Sequence, residues 1–228
     1  MTEARRGGHD PPSLRHGGAV RRYPGITMLT PHPSDAFLSY VRKLAPVPDE
    51  EWHFARTLFR PRRLDRGEYL TRAGDVAMEF GWVLRGLIRK YYLDRNDSEV
   101  VRGFASEGQL AGAYASLLSR APSILNVQAL EETALLVMSH SDITQLYGRH
   151  TCWQELGRKV AESLLLEREE REYQLLRLNA TDRYLAFRRD QGELVGRVPQ
   201  HQIAAYLGIT PVSLSRIIGR LKRRAETD

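Results

Sequence analysis

Apolar residues in the first third of the chain recur at helical spacing. The pattern covers residues 35–45 and 48–59, and the second segment places Trp52, Ala55 and Phe59 on one side. Positions three and four apart share one face of an α-helix, so this spacing predicts two amphipathic helices.

After Pro61 the pattern changes to short apolar runs separated by turn-forming residues. Turn signals such as Ala73-Gly74-Asp75 and Arg85-Gly86 recur at nearly regular spacing. Many short strands with such punctuation predict a sandwich or a barrel. The predicted strands are Phe80–Leu84, Leu87–Leu93, Glu99–Phe104, Leu125–Leu130 and Thr133–Met138.

From Ser139 onward the periodicity is helical. Ser139 and Asp142 have the spacing of a capping box that opens a short helix. Thr151 and Gln154 repeat that spacing, and we expect a second box there. The helix that follows is predicted to run to about Leu178, which makes it roughly 40 Å long by helix rise.

An apolar stripe follows one face of this long predicted helix, which becomes strongly charged beyond Leu164. Two interpretations fit the periodicity equally: the stripe packs on the chain's own barrel, or it pairs with the same helix of a second copy. We expect a homodimer in which the stripe is the interface. The predicted interface residues are Trp153, Leu156, Val160 and Leu164.

Residues 199–222 predict two short helices joined by a tight turn. The first helix is Gln200–Leu207, and Gly208 follows where a chain that leaves a helix needs a left-handed residue. Thr210 can cap the next helix, and Pro211 suits its first turn. This is the helix-turn-helix pattern, whose second helix fits the major groove of DNA with its start toward the base edges.

The second helix carries polar side chains suited to DNA. A guanidinium can bond two atoms of one guanine, so we expect Arg216 to read a base. Hydroxyl groups can bond phosphates or bases, and the remaining cations suit phosphates. The predicted DNA-binding residues are Gln200, Thr210, Ser213, Ser215, Arg216, Arg220 and Lys222.

The charge distribution supports an anionic partner. The net charge is +6, and residues 180–228 hold nine basic and five acidic side chains, whereas residues 31–179 are close to neutral. A basic end on a neutral body is typical of a protein that binds nucleic acid. The alternative is that these basic side chains form a solvated surface that binds no nucleic acid.

Composition also excludes several classes of protein. The single cysteine, Cys152, excludes an internal disulfide and a cysteine-rich metal cluster, and it favours a reducing, cytoplasmic setting. No His or Cys lies between His53 and His140, so the predicted barrel lacks the ligands of a metal-dependent enzyme. No apolar run is long enough to span a membrane. We therefore expect no enzyme activity, metal, cofactor or membrane partner.

The order of these elements resembles the CRP/FNR family of bacterial transcription factors over roughly residues 35–224. Ile203-Ala204, Leu207-Gly208 and Leu214-Ser215-Arg216 are similar to the family's DNA-binding signature, and Gly74, Gly86 and Gly108 match glycines of its sensor barrel. The resemblance implies an α+β fold with a jelly-roll sensor, a long dimerisation helix and a C-terminal winged helix-turn-helix. The expected bounds are 1–30 for a disordered basic extension, 31–150 for the barrel domain, 151–178 for the dimerisation helix and 179–228 for the DNA-binding domain.

Two departures from the family concern the effector. Ala113 stands where cyclic-AMP-binding members have a ribose-binding Glu, and Ser123 or Ile124 replaces the Arg that pairs with the cyclic phosphate. Without a cation for that phosphate, we expect no control by cyclic AMP. A haem-sensing branch stays open, with His150 and Cys152 as axial ligands.

The expected function is sequence-specific regulation of transcription by a homodimer. Double-stranded DNA and RNA polymerase are the expected partners, and the sequence identifies no effector molecule. The alternatives are a haem- or other small-molecule-sensing regulator of the same fold, and a protein-interaction module that binds no DNA.

Overall fold

The computed structural model describes residues 34–225, so the predicted extension over residues 1–30 lies outside the described residues. Helices α1 (Ser34–Leu44) and α2 (Asp49–Arg56) come first. They are followed by strands β1 (Arg60–Leu64), β2 (Tyr69–Thr71), β3 (Glu79–Arg85), β4 (Ile88–Leu93), β5 (Glu99–Ala105) and β6 (Leu110–Ala111). Next come α3 (Tyr114–Ser119), β7 (Asn126–Ala129), β8 (Thr133–Ser139) and α4 (His140–Arg149). The remainder consists of α5 (Thr151–Arg177), α6 (Ala180–Asp190), a 3-10 turn (Gly192–Leu194), α7 (Gln200–Leu207) and α8 (Pro211–Ala225).

The strands form two four-stranded antiparallel sheets packed face to face. The first sheet has the order β1-β8-β3-β6, and the second has the order β2-β7-β4-β5. Apolar side chains on the two inner faces form a closed core that includes Val83, Ile88, Val127 and Leu135. This double-sheet barrel confirms the predicted fold class, and each of the five predicted strands corresponds to a strand of the structure.

Helices cover the outer face of the first sheet. Val41 of α1, Trp52 of α2, Leu146 of α4 and Trp153 of α5 are buried in one apolar cluster with Met138 of β8. Side chains from four helices therefore fix the start of the long helix onto the barrel.

One buried carboxylate ties these helices together. The Trp153 indole N–H donates a hydrogen bond to Glu51 at 3.0 Å, and the Arg149 guanidinium donates to the same carboxylate at 3.0 Å. Both contacts join residues about a hundred positions apart, so they fix α2 against the junction of α4 and α5.

The caps of α4 and α5 differ. The predicted capping box of α4 is confirmed, because Ser139 Oγ accepts from the Asp142 N–H and the Asp142 carboxylate accepts from the Ser139 N–H. The predicted box at Thr151 is wrong. His150 is the N-cap of α5, and its Nδ1 accepts from the Cys152 N–H at 3.1 Å. Gln154 instead donates to the carbonyl oxygen of Tyr147 at 2.7 Å.

The C-terminal helices form a second core against the outer face of the second sheet. Leu207, Leu214 and Ile203 are fully buried there, together with Leu87 and Val101 of the barrel. Within residues 180–225 the structure contains helices and a 3-10 turn but no β-strand. The wing that the family resemblance implies is therefore not formed by any β-strand within residues 180–225, where a 3-10 turn, Gly192–Leu194, lies between α6 and α7.

None of the helices described over residues 34–225 is long and apolar enough to cross a membrane.

Candidate nucleic-acid interface

The helix-turn-helix is built from local signals in the sequence. Gly208 ends α7 with φ of +67°, a left-handed conformation that glycine adopts without steric cost. The Thr210 hydroxyl accepts from the Ser213 N–H at 3.2 Å and so caps α8, and Pro211 is the first residue of that helix. Leu214 and Ile217 face the core and fix the rotation of α8 about its axis. The opposite face of α8 is thereby exposed.

Most predicted DNA-binding residues lie on the exposed surface of α7 and α8. Arg216, Arg220 and Lys222 are exposed, and within residues 34–225 none of the three forms a hydrogen bond or an ion pair. Three cations without protein partners are therefore available to an anionic ligand.

The remaining predicted contacts lie around the start of α8 and α7. Gln200, Thr210 and Ser215 are exposed, whereas Ser213 is half-buried and accepts a hydrogen bond from the Thr210 hydroxyl at 3.0 Å. Val212, which was not predicted, is 60% exposed and lies one helical turn before Arg216. An exposed apolar side chain at the start of such a helix suits a thymine methyl group.

An aromatic cluster holds the helix-turn-helix against the barrel. α7 packs against β5. The ring centroid of Tyr206 lies 5.7 Å from that of Phe104 and 5.4 Å from that of Phe187. These spacings are those of favourable tilted aromatic pairs.

An ion-pair network borders the aromatic cluster. Arg197, between α6 and α7, contacts Glu107 and Glu131 of the barrel domain at 2.8 Å each. The hydrogen bonds from Arg197 lower the pKa of Glu107 to about 2. The network was not predicted from the sequence, because Glu107 and Glu131 lie 90 and 66 positions before Arg197.

The predicted dimer stripe faces the chain's own barrel. Trp153 is only 4% exposed and bonded to Glu51, so it cannot contribute to the surface that a second chain contacts. Leu156 packs on the same cluster as Trp153. Val160 and Leu164 are half-buried and line cavities formed with barrel residues. Trp153 and Leu156 therefore pack on the chain's own barrel domain, whereas Val160 and Leu164 are only half-buried, and the predicted interface stays a prediction.

A second apolar row lies on the other side of α5. By helical spacing its members fall on the face opposite the predicted stripe. Leu166 and Leu176 are 68% and 74% exposed, and Leu165 and Tyr173 are also largely exposed. Leu166 and Tyr173 are seven positions apart and Leu176 follows three later, which is the spacing of a coiled-coil seam.

The positions of the cyclic-nucleotide cassette are filled by core packing. Ala113 is buried between the sheets. The Ser123 hydroxyl is buried and bonded to both the N–H and the carbonyl oxygen of Leu125. The nearby cation, Arg120, donates to the carbonyl oxygen of Ala77 at 3.3 Å.

The two candidate haem ligands both have structural roles. The His150 imidazole caps α5, and Cys152 is buried in the apolar cluster under α1 and α2, where burial raises the pKa of its thiol. In the described part of the chain, no group of three or more His, Cys, Asp or Glu side chains is arranged to hold a metal ion.

Comparisons with known proteins agree with this architecture. Residues 61–150 match the family described as cyclic nucleotide-binding domain. The chain is 24% identical over 175 residues to the anaerobic regulatory protein of Pasteurella multocida, an alignment that covers 72% of this chain and 63% of that protein. It is also 24% identical over 175 residues to the fumarate and nitrate reduction regulatory protein of Escherichia coli K12, covering 72% of this chain and 69% of that protein.

Solved structures show the same fold. FixK2 from Bradyrhizobium japonicum superposes with a TM-score of 0.65 at 19% identity, covering 73% of this chain and 86% of that one. The c-di-GMP-responsive global regulator CLP of Xanthomonas campestris superposes with a TM-score of 0.62 at 17% identity, covering 78% and 93%.

The molecule thus combines a cyclic nucleotide-binding-type barrel, a long helix and a C-terminal helix-turn-helix in one chain. In sequence and in fold it is similar to regulators of the CRP/FNR type.

Proposed function

We propose that the protein is a transcription regulator that binds specific double-stranded DNA through α8. The observation that carries the proposal is that Arg216, Arg220 and Lys222 of α8 are exposed and form no hydrogen bond or ion pair with any described residue, beside a helix start that is open to solvent. A helix presented in this way fits the major groove, and the names of the relatives as regulatory proteins support the same function. As a transcription regulator, it is expected to act together with RNA polymerase.

The cations of α8 have different roles in this proposal. Arg216 lies in the second turn of the helix, away from Leu214 and Ile217, where its length reaches a guanine edge. Arg220 and Lys222 lie further along the helix and suit phosphates. Arg216 therefore supplies specificity, whereas Arg220 supplies affinity for any sequence.

Fluorescence anisotropy on a target fragment and on a scrambled fragment, across a salt series, tests this division. Arg216→Ala is expected to cost about 1–3 kcal/mol on the target and less on scrambled DNA. Arg220→Ala is expected to weaken both similarly and to reduce the salt slope by about one unit. Arg66→Ala removes an exposed arginine in the β1–β2 turn and serves as the matched control. Equal losses for Arg216→Ala on both fragments would make Arg216 a phosphate contact and not a base reader.

The proposed regulator acts as a homodimer through the exposed row on α5. Leu166→Arg places a charge in that seam in both copies, at an expected cost of several kcal/mol. Sedimentation should then show a monomer that binds target DNA more weakly. Leu118→Arg, at an exposed leucine of α3, is the control and should leave the dimer intact. A Leu166→Arg chain that stays dimeric would place the interface elsewhere.

The proposal also includes independence from cyclic AMP. Ala113 and Ser123 offer no carboxylate for a ribose and no cation for a cyclic phosphate, and both are enclosed in the core. Calorimetry with cyclic AMP and cyclic GMP is expected to show no binding at micromolar concentration. Saturable micromolar binding of either nucleotide would contradict this part of the proposal.

A further inference from the structure

A large cleft separates the barrel from the long helix and the helix-turn-helix. Its cavity volume is about 700 Å³, which is the size of a site for a small molecule. Lys90 and Arg102 contribute to it from the second sheet, Glu167 and Arg171 from α5, and Tyr206 from α7. All three parts of the molecule therefore meet at this cleft.

Lys90 is a buried cation that lacks a protein partner. It is only 6% exposed, and its Cε lies 3.8 Å from the position that a Cβ of Gly103 would occupy on the adjacent strand. Among the described residues it forms no hydrogen bond and no ion pair within 4.0 Å. Burial lowers the pKa of its ammonium group, and the nearby Glu167 only partly opposes that effect. Burying an unpaired charge is costly, so such a group at a cavity wall points to a ligand.

Arg171 supplies a second cationic donor that is not satisfied. One of its guanidinium nitrogens, Nη2, donates to the carbonyl oxygen of Tyr206, and the guanidinium lies 3.9 Å from the centre of the Tyr206 ring. The other nitrogen, Nη1, is buried without a hydrogen-bond partner. Buried donors normally have hydrogen-bond acceptors, so this unpaired N–H group is available to an acceptor on a bound ligand.

The acidic residues of the cleft lie at its rim. Glu167, Glu170 and Glu172 of α5 and Asp190 of α6 occupy exposed positions, and Glu170 accepts a hydrogen bond from Gln174 at 2.9 Å. The interior, by contrast, holds the buried Lys90 and the half-buried Arg171. This arrangement favours a small anion, because a small anion can reach the interior cations and keep its distance from the carboxylates of the rim.

We propose that this cleft binds a small anion with at least two negative charges on phosphate or carboxylate groups. Lys90 and the Arg171 Nη1 donate to those groups, which supplies the charge-assisted hydrogen bonds that the Lys90 ammonium and the Arg171 Nη1 lack. The proposal does not rest on DNA binding. The site is also separate from the cassette positions Ala113 and Ser123, which are enclosed in the core. Because Arg171 also contacts Tyr206, an occupant of the cleft would touch the elements that hold the helix-turn-helix against the barrel.

Calorimetry and thermal unfolding of the full chain, without DNA, test the site. The probes are pyrophosphate and citrate, with sodium chloride matching the ionic strength. The variants are Lys90→Met, which keeps length and removes charge, and Lys43→Met, an exposed lysine of α1, as the matched control. The wild type and Lys43→Met should show saturable binding and a higher unfolding midpoint with at least one probe. Lys90→Met should bind at least ten-fold more weakly.

The unliganded variants supply a second readout. Removing an unpaired buried charge should raise the unfolding midpoint of Lys90→Met without ligand, whereas a lysine that held the fold together would lower it. Binding of pyrophosphate alone assigns a phosphate-bearing ligand, and binding of citrate alone assigns a polycarboxylate. The proposal is overturned if the wild type binds neither probe saturably, if Lys90→Met binds as Lys43→Met does, or if Lys90→Met is less stable than the wild type.

Discussion

The barrel has two outer faces, and each is covered in a different way. Over the first sheet, helices pack an apolar layer around Trp52 and Trp153, with the buried carboxylate of Glu51 inside it. Over the second sheet, the helix-turn-helix packs an aromatic cluster bordered by the partly exposed ion pairs of Arg197. Contacts between domains are usually more polar than a domain core. We therefore expect the first cover to unfold with the barrel and the second cover to open separately from it.

Removing an anchor of the first cover should have the largest effect. Trp153→Ala empties a buried aromatic site and leaves Glu51 without its indole donor, so we expect a loss of about 3–5 kcal/mol in the free energy of unfolding. Urea unfolding followed by circular dichroism measures it. Leu118→Ala, at an exposed leucine, should change stability by about 0.5 kcal/mol or less. A loss below about 1 kcal/mol for Trp153→Ala would remove the distinction between the covers.

Weakening the second cover should have a smaller and more local effect. Arg197→Gln removes both ion pairs, which are partly exposed, so the expected loss is about 1 kcal/mol after solvent screening. Hydrogen exchange should become faster in α6, α7 and α8 while β3 and β8 keep their protection. Arg66→Gln is the exposed control. If protection in β3 and β8 falls as much as in α7, the two covers form one cooperative unit.

Acid should produce the smallest and most gradual change. The pKa of Glu107 lies at about 2 in the folded protein, below its ordinary value of 4.5. A lowered carboxyl pKa adds stability above pH 4.5, and that stability is lost as the pH falls from 4.5 toward 2. The stability difference between the wild type and Arg197→Gln should therefore be constant from neutral pH to about 4.5 and shrink below it. Urea midpoints at a series of pH values measure this, and a difference that persists as the pH approaches 2 would rule out Glu107 as its source.

The comparison also explains what could be predicted from the sequence. The helix-turn-helix was predictable because its signals are local: a left-handed Gly208, a capping Thr210 and a proline at the first helical position. The strands of the sandwich core were predictable from apolar runs. β1 was not among the predicted strands, because its sequence from Arg60 to Leu64 contains a proline and three arginines and only Leu64 is buried. It is held by pairing with β8, a long-range contact that periodicity does not register.

The long helix α5 shows what hydrophobic periodicity cannot predict. The apolar stripe of α5 was recognised correctly, but its spacing could not say which surface it meets, and α5 carries leucines on two opposite faces. The contact that anchors Trp153 is made by Glu51, about a hundred positions earlier. The same limit applies to Arg197, whose ion-pair partners are distant in the sequence. It also applies to Lys90, which is buried by elements that are distant in the sequence.

Because α5 is anchored to the barrel at its N-terminal end, a small tilt of the helix there is amplified at its far end. Its first turn is fixed in the barrel by Trp153, and the whole helix spans 27 residues without interruption, from Thr151 to Arg177. At roughly 1.5 Å of rise per residue, the helix is about 40 Å long. A tilt of about 5° at the anchored end would displace the far end by roughly 3 Å, close to the rise of one base pair. In the proposed dimer, a small change at the barrel would therefore be enough to bring the two α8 helices into or out of register with successive major grooves of the DNA.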